Sequence, residues 1–81
     1  MNVYVIRYEE RTYSGYSSGI CAIYSTLEKA REYLNMLKTS QIEYYSENDM
    51  CGYTLYEEDD ELLFEFYDTY DKYILEEREV K

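Results

Sequence analysis

The sequence of 81 residues contains no histidine and only three glycines. Without histidine, neither a Ser-His nor a Cys-His nucleophile pair can form, and imidazole ligands for a metal ion are missing. Gly15, Gly19 and Gly52 do not have the spacing of a P-loop or of a dinucleotide-binding motif. A pair of carboxylates could still act as acid and base, but crowded acids on a small domain usually form a solvated face. We therefore expect no enzymatic activity, no cofactor and no metal site.

Cysteine is also scarce, and long apolar segments are missing. Cys21 and Cys51 lack the CxxC spacing of a metal or redox site, so we expect two reduced, buried thiols, with a disulfide as the alternative. No segment reaches the roughly 20 apolar residues that a membrane helix needs. The N-terminal segment MNVYVIRYEE lacks the charge pattern of a signal peptide. These features predict a cytoplasmic protein without membrane association.

Basic residues are scarce in the second half of the chain. Residues 1–39 carry five basic and four acidic side chains, which gives a net charge of +1. Residues 40–81 carry three basic and fourteen acidic side chains, which gives −11, so this half accounts for the whole net charge of −10. Between Tyr53 and Tyr73 the acids alternate with tyrosines and phenylalanines. Because like charges repel, we expect stability to rise as salt screens this segment.

The clearest local pattern predicts a helix over residues 26–39. Ser25 and Glu28 have the spacing of a capping box, in which each side chain bonds the backbone N–H of the other residue. Leu27, Ala30 and Leu34 follow at the spacing of one helix face. The segment from residue 41 to 45 either extends this helix or starts a strand.

Alternating apolar residues predict a small antiparallel sheet of about four to five strands packed on this helix, so the predicted fold is one α+β domain over residues 1–81. A polar loop is predicted between the first two strands, at residues 9–19. The predicted strands cover residues 2–8, 20–24, 53–56, 61–67 and 73–80.

One segment has an alternative assignment. Leu63, Tyr67, Tyr70 and Ile74 are spaced as on a helix face, which is compatible with a second helix at about residues 61–76. The alternation of Phe64 and the neighbouring apolar residues, together with the high aromatic content, favours strands.

The segment IYSTLEKAREYL at residues 23–34 follows an N-terminal VYVIRY strand, and the chain ends near KYILEEREV. These segments cover about half of the chain and resemble a group of small, mostly uncharacterised bacterial and phage proteins. Members of that group begin with two strands and a helix that opens FSTxEKAxEY. The resemblance implies a small α+β domain of phage or mobile-element origin, and it implies no catalytic residue.

The acidic and aromatic stretch is the candidate binding site. Its carboxylates would repel phosphate, so we expect no direct binding of nucleic acid. The same carboxylates can imitate a nucleic-acid backbone and occupy a basic surface of a protein partner, while tyrosines add packing. The predicted contact residues are Glu57, Glu58, Asp59, Asp60, Glu61, Glu65, Asp68, Asp71, Tyr56, Tyr67 and Tyr70. Tyr13 and Tyr16, in the predicted loop, form a secondary candidate.

We therefore expect a non-enzymatic, acidic protein-binding module. In size and charge it resembles the inhibitors that phages direct at host defence nucleases, anti-CRISPR proteins among them, which act in the host cytoplasm. One alternative is a scaffold protein that self-associates, for example as a homodimer. Another is a phage protein that sequesters a small phosphorylated ligand near Arg7, Arg11 and Arg31. The simplest alternative is that the charge only keeps a tyrosine-rich surface soluble.

Overall fold

The computed structural model describes residues 1–80 and confirms the predicted α+β fold, with one antiparallel sheet and one helix. The order of the strands across the sheet is β2-β1-β5-β4-β3. Residues 61–76 form strands rather than the alternative second helix. The elements are β1 (Asn2–Thr12), β2 (Gly15–Tyr24), α1 (Leu27–Glu47), β3 (Thr54–Glu58), β4 (Glu61–Glu65) and β5 (Tyr70–Glu79).

Helix α1 begins one residue after the predicted start at residue 26, and it also ends later than predicted. Thr26, not Ser25, is the N-cap, and its side-chain oxygen accepts a hydrogen bond from the Lys29 backbone N–H at 3.3 Å. The helix continues to Glu47, well past the predicted end at residue 39. The added turns are stabilised by Tyr45, which is only 1% exposed.

The predicted polar loop at residues 9–19 is wrong. Residues 9–12 continue β1, and residues 15–19 belong to β2, so only Tyr13 and Ser14 form the turn. In this segment β1 pairs with β2 on one side and with β5 on the other. Because both neighbours bond its backbone N–H and C=O groups, β1 remains a strand although its side chains are polar.

The core lies between α1 and one face of the sheet. Four aromatic rings form a cluster at the C-terminal end of the helix, with centroid distances of 5.0 to 5.6 Å. This aromatic cluster consists of Tyr45, Tyr53, Phe64 and Phe66. The remaining buried core residues are Ile6, Ala30, Leu34, Leu62 and Leu75. The aromatic cluster therefore fixes β4 and the start of β3 against the helix.

The opposite face of the sheet, here called the open face, has no helix of the described chain packed against it. It carries ion pairs, because alternate residues of β1 and β5 point to this side. Arg7 bonds Glu76 at 2.7 Å, and these two residues lie on adjacent strands. This hydrogen-bonded pair lowers the pKa of the Glu76 carboxyl and raises that of the Arg7 guanidinium.

Both cysteines are free. Cys21 is half-buried, and burial raises the pKa of its thiol, which keeps it in the unreactive protonated form. Cys51 is exposed, so the expectation of a buried thiol is wrong there, because the segment between α1 and β3 lies on the surface. Within residues 1–80, no helix is long and apolar enough to cross a membrane.

Candidate protein-interaction surface

Most of the predicted contact residues lie on one hairpin at the edge of the sheet. This acidic hairpin comprises β3, the turn at Asp59 and Asp60, and β4. Its strands pair antiparallel, with Glu58 opposite Glu61 and Tyr56 opposite Leu63. Directly opposed side chains share a face, so Tyr56 and Glu58 point to the open face.

Three acids of the hairpin are matched by cations from other elements. Two of these cations come from α1 and one from β5, so the pairs attach the hairpin to both of its neighbours. Such partly exposed pairs each contribute about 0–1 kcal/mol to the free energy of unfolding. The bond to Glu61 is also the main reason that the pKa of Lys72 is raised. The pairs are Glu57–Lys38, Asp60–Arg31 and Glu61–Lys72, with N···O distances of 2.7, 3.4 and 2.9 Å.

Four predicted acids are exposed and have no cationic partner among residues 1–80. We call them the unpaired quartet: Glu58, Asp59, Glu65 and Asp68. Three of them belong to the acidic hairpin, and Asp68 follows in the connection to β5. Their charge is therefore available to a partner molecule.

The predicted tyrosines differ in their exposure. Tyr67, between β4 and β5, is 96% exposed, and Tyr56 is 53% exposed. Both therefore offer ring surface next to members of the unpaired quartet. Tyr70 is half-buried, because it lies in β5 between Arg11 of β1 and Glu65 of β4.

Asp71 lies on the helix side of the sheet and has a structural contact. It accepts a hydrogen bond from the Tyr45 hydroxyl, and the Gln41 side chain donates a similar bond to the Tyr73 hydroxyl. Burial, and then the bond to Asp71, raise the pKa of Tyr45 above its usual range. Asp71 thus belongs to the packing interface between the helix and the sheet. No local signal in the sequence links it to a tyrosine in the preceding helix.

The secondary candidates, Tyr13 and Tyr16, lie in and just after the β1–β2 turn, where both line one groove. Tyr16 is on β2, at the sheet edge opposite the acidic hairpin, about 19 Å from β3 at the usual strand spacing. Tyr13 is in the β1–β2 turn and lines a groove of about 580 Å³ with Tyr44 and Asp71 among its walls. Tyr16 therefore lies away from the unpaired quartet, whereas the groove that Tyr13 lines also includes Thr69, the residue after Asp68.

The three arginines considered for a phosphorylated ligand are also separated. Arg7 is on the open face and paired with Glu76, whereas Arg31 is on α1 and paired with Asp60. Only Arg11 reaches the groove beside Tyr13. No group of three or more cysteine, aspartate or glutamate side chains within residues 1–80 is placed to hold a metal ion.

Comparison with protein-family models, with curated proteins and with solved structures finds no match for this chain. No residue role is therefore carried over from another protein. Among the predicted contact acids, the quartet is distinguished by its exposure and by the lack of cationic partners, two properties that the sequence alone does not reveal.

Proposed function

We propose that this protein is a non-enzymatic module that binds a basic surface of a protein partner, at a place where that partner holds nucleic acid. The observation that carries the proposal is the unpaired quartet, Glu58, Asp59, Glu65 and Asp68, displayed beside exposed tyrosines on the acidic hairpin and on the connection that follows it.

The pairing of the neighbouring acids supports a role for this charge. Three cations of the chain are bonded to Glu57, Asp60 and Glu61, and within residues 1–80 no salt bridge reaches the quartet. Concentrated like charge destabilises a compact domain through self-repulsion. Lysine and arginine side chains of a partner would relieve that repulsion, and complementary charge would also accelerate association.

The geometry of the hairpin supports a folded binding face rather than a flexible acidic tail. Antiparallel pairing with β5 and the buried ring of Phe64 hold β4 in place, and the half-buried ring of Phe66 packs against Tyr45 directly after the strand. Side chains at alternate positions of a strand then stand about 7 Å apart at fixed spacing. Tyr56 and Tyr67 add aromatic contact area of the kind that dominates protein interfaces.

The narrower proposal concerns the class of partner. A surface of ordered carboxylates fits a groove that binds a nucleic-acid backbone, and such grooves occur in nucleases. The resemblance to small phage proteins and to phage inhibitors supports a defence nuclease of a bacterial host as the partner, with the protein acting as its inhibitor.

Affinity capture from a lysate of the host, at low and at high salt, tests the proposal. The hairpin variant E58Q/D59N/E65Q/D68N removes the quartet. The helix variant E28Q/E32Q/E43Q/E47Q is the matched control, because it also removes four exposed acids and gives the same net charge of −6. Both variants should keep the fold, which circular dichroism would verify.

We expect the wild-type protein and the helix variant to capture a basic, nucleic-acid-binding protein at low salt and to release it at high salt. The hairpin variant should capture none. Equal capture by all three proteins, or capture that is indifferent to salt, would contradict the proposal.

A further inference from the structure

The two edges of the sheet differ in how well they are protected against pairing with strands of other molecules. Exposed sheet edges pair readily with other strands, and proteins usually block them with charge, proline, bulges or short strand length. Strand β3 is five residues long and ends in Glu57 and Glu58, so it has two of these features. Strand β2 is ten residues long and contains neither a charged residue nor a proline.

The segment from Tyr16 to Ile20 is the regular part of this edge. The register with β1 is continuous over these five residues, and the one irregularity of the strand lies beyond Ile20, at Cys21. Tyr16 is 59% exposed and Ile20 is 52% exposed. Alternation along the strand places both side chains on the open face, together with Ser18. Unpaired backbone groups thus lie next to exposed apolar side chains.

We propose that two copies of this chain associate through β2, in antiparallel orientation about a two-fold axis, to form one continuous ten-stranded sheet. An axis at Ser18 places Tyr16 of each copy opposite Ile20 of the other, on the open face. Pairs of an aromatic and a β-branched residue are favourable cross-strand neighbours. The segment is therefore complementary to itself.

The distribution of charge favours a second copy at this edge. The nearest charged side chains are on β1, and the β1 strands of two paired copies would be about 14 Å apart. This distance exceeds the Debye length of about 8 Å at physiological ionic strength. The two acidic hairpins would lie at the far ends of the joint sheet, with their β4 strands about 34 Å apart. The repulsion between two copies of net charge −10 is therefore largely screened in this arrangement.

The mass of the protein in solution tests the proposal, by light scattering over a wide range of concentration. S18E places a carboxylate at the proposed axis, where it faces its own copy. T54E on β3 is the matched control, because residue 54 lies opposite Glu65 as residue 18 lies opposite Glu9. We expect about 20 kDa for the wild-type protein and for T54E, twice the chain mass of 9.9 kDa, and 9.9 kDa for S18E.

A wild-type mass of 9.9 kDa at every concentration would overturn the proposal, and so would a dimer of unchanged stability in S18E. Cross-linking tests the register independently. In a background with Cys21→Ser and Cys51→Ser, S18C should form a disulfide-linked dimer under mild oxidation, and T54C should not. A dimeric S18C protein that fails to cross-link would refute the axis at Ser18. These measurements involve no partner protein, so their outcome is separate from that of the capture experiment.

Discussion

The two ends of the sheet differ in charge and in edge length. The acidic hairpin carries six acids and no basic residue between Thr54 and Glu65. At the other end β2 is uncharged, and β1 carries cations and acids together. A charge that served only solubility could be spread over the whole surface. Its concentration at one end keeps the repulsion local and leaves the opposite edge free to associate.

The core beneath the two ends differs as well. The acidic end lies over the aromatic cluster of Tyr45, Tyr53, Phe64 and Phe66, whereas the middle of β1 contributes the aliphatic side chain of Ile6. Large rings bury much apolar area per residue and pack in defined edge-to-face geometries. The acidic hairpin, where like charges repel each other, thus packs on more aromatic rings than the opposite end of the sheet.

The largest effect is expected from Phe64→Ala, which removes a fully buried ring from the aromatic cluster. The free energy of unfolding should fall by about 3–5 kcal/mol, as measured by urea denaturation. Hydrogen exchange should accelerate most in β3 and β4. Ile6→Ala, at the other end, should destabilise by about 2–5 kcal/mol and affect β1 and β2 most. Identical exchange patterns in both variants would show that the two ends unfold as one unit.

A smaller effect is expected from Tyr45→Phe, which removes the hydroxyl bonded to Asp71. The loss at neutral pH should be about 1 kcal/mol, the usual net contribution of one hydrogen bond. Because folding raises the pKa of Tyr45, its contribution is complete below the ordinary tyrosine value of about 10. Above that pH the unfolded chain loses a proton that the folded chain keeps, so wild-type stability should fall as pH rises.

Urea unfolding at neutral and alkaline pH measures how steeply the free energy of unfolding falls with pH. Tyr45→Phe should make this fall shallower by up to about 1.4 kcal/mol per pH unit. Tyr67→Phe is the control, because its side chain is 96% exposed, and it should leave stability at neutral pH unchanged. A stability that falls equally steeply with rising pH in Tyr45→Phe and in the wild-type protein would contradict the raised pKa of Tyr45.

The smallest effect is expected from neutralising the unpaired quartet with E58Q/D59N/E65Q/D68N. Because this change removes repulsion without breaking a salt bridge, it should raise the free energy of unfolding at low salt by about 0.5 kcal/mol or less. The gain should vanish at high salt, where repulsion is screened. The helix variant E28Q/E32Q/E43Q/E47Q should raise the free energy of unfolding by less than the hairpin variant does. An equal increase in the two variants would show that charge at the hairpin is no more concentrated than on the helix.

The sequence predicted the fold class and the start of α1 because these depend on local patterns. Capping residues and helical spacing placed the helix start within one residue. Its end could not be predicted, since Tyr45 is held by Phe64 and Phe66, which are distant in the sequence. The polar residues 9–12 were assigned to a loop for a similar reason, because pairing with two neighbouring strands is not visible in their composition.

The candidate site was predictable only as a set of acids. Composition located the charge, but the cations that pair with Glu57 and Asp60 come from a helix 19 and 29 residues earlier. Asp71 was included among the contact residues because nothing near it indicates the bond to Tyr45. Separating paired from unpaired acids requires the arrangement of helix and hairpin in three dimensions.

The central claim, that the acidic hairpin occupies a surface which holds nucleic acid, is tested most directly by competition. The captured partner would be bound to immobilised wild-type protein and challenged with duplex DNA and with RNA at constant ionic strength. We predict that one of these nucleic acids displaces the partner, because it and the unpaired quartet compete for the same cations. A complex that withstands saturating DNA and RNA alike would contradict the claim.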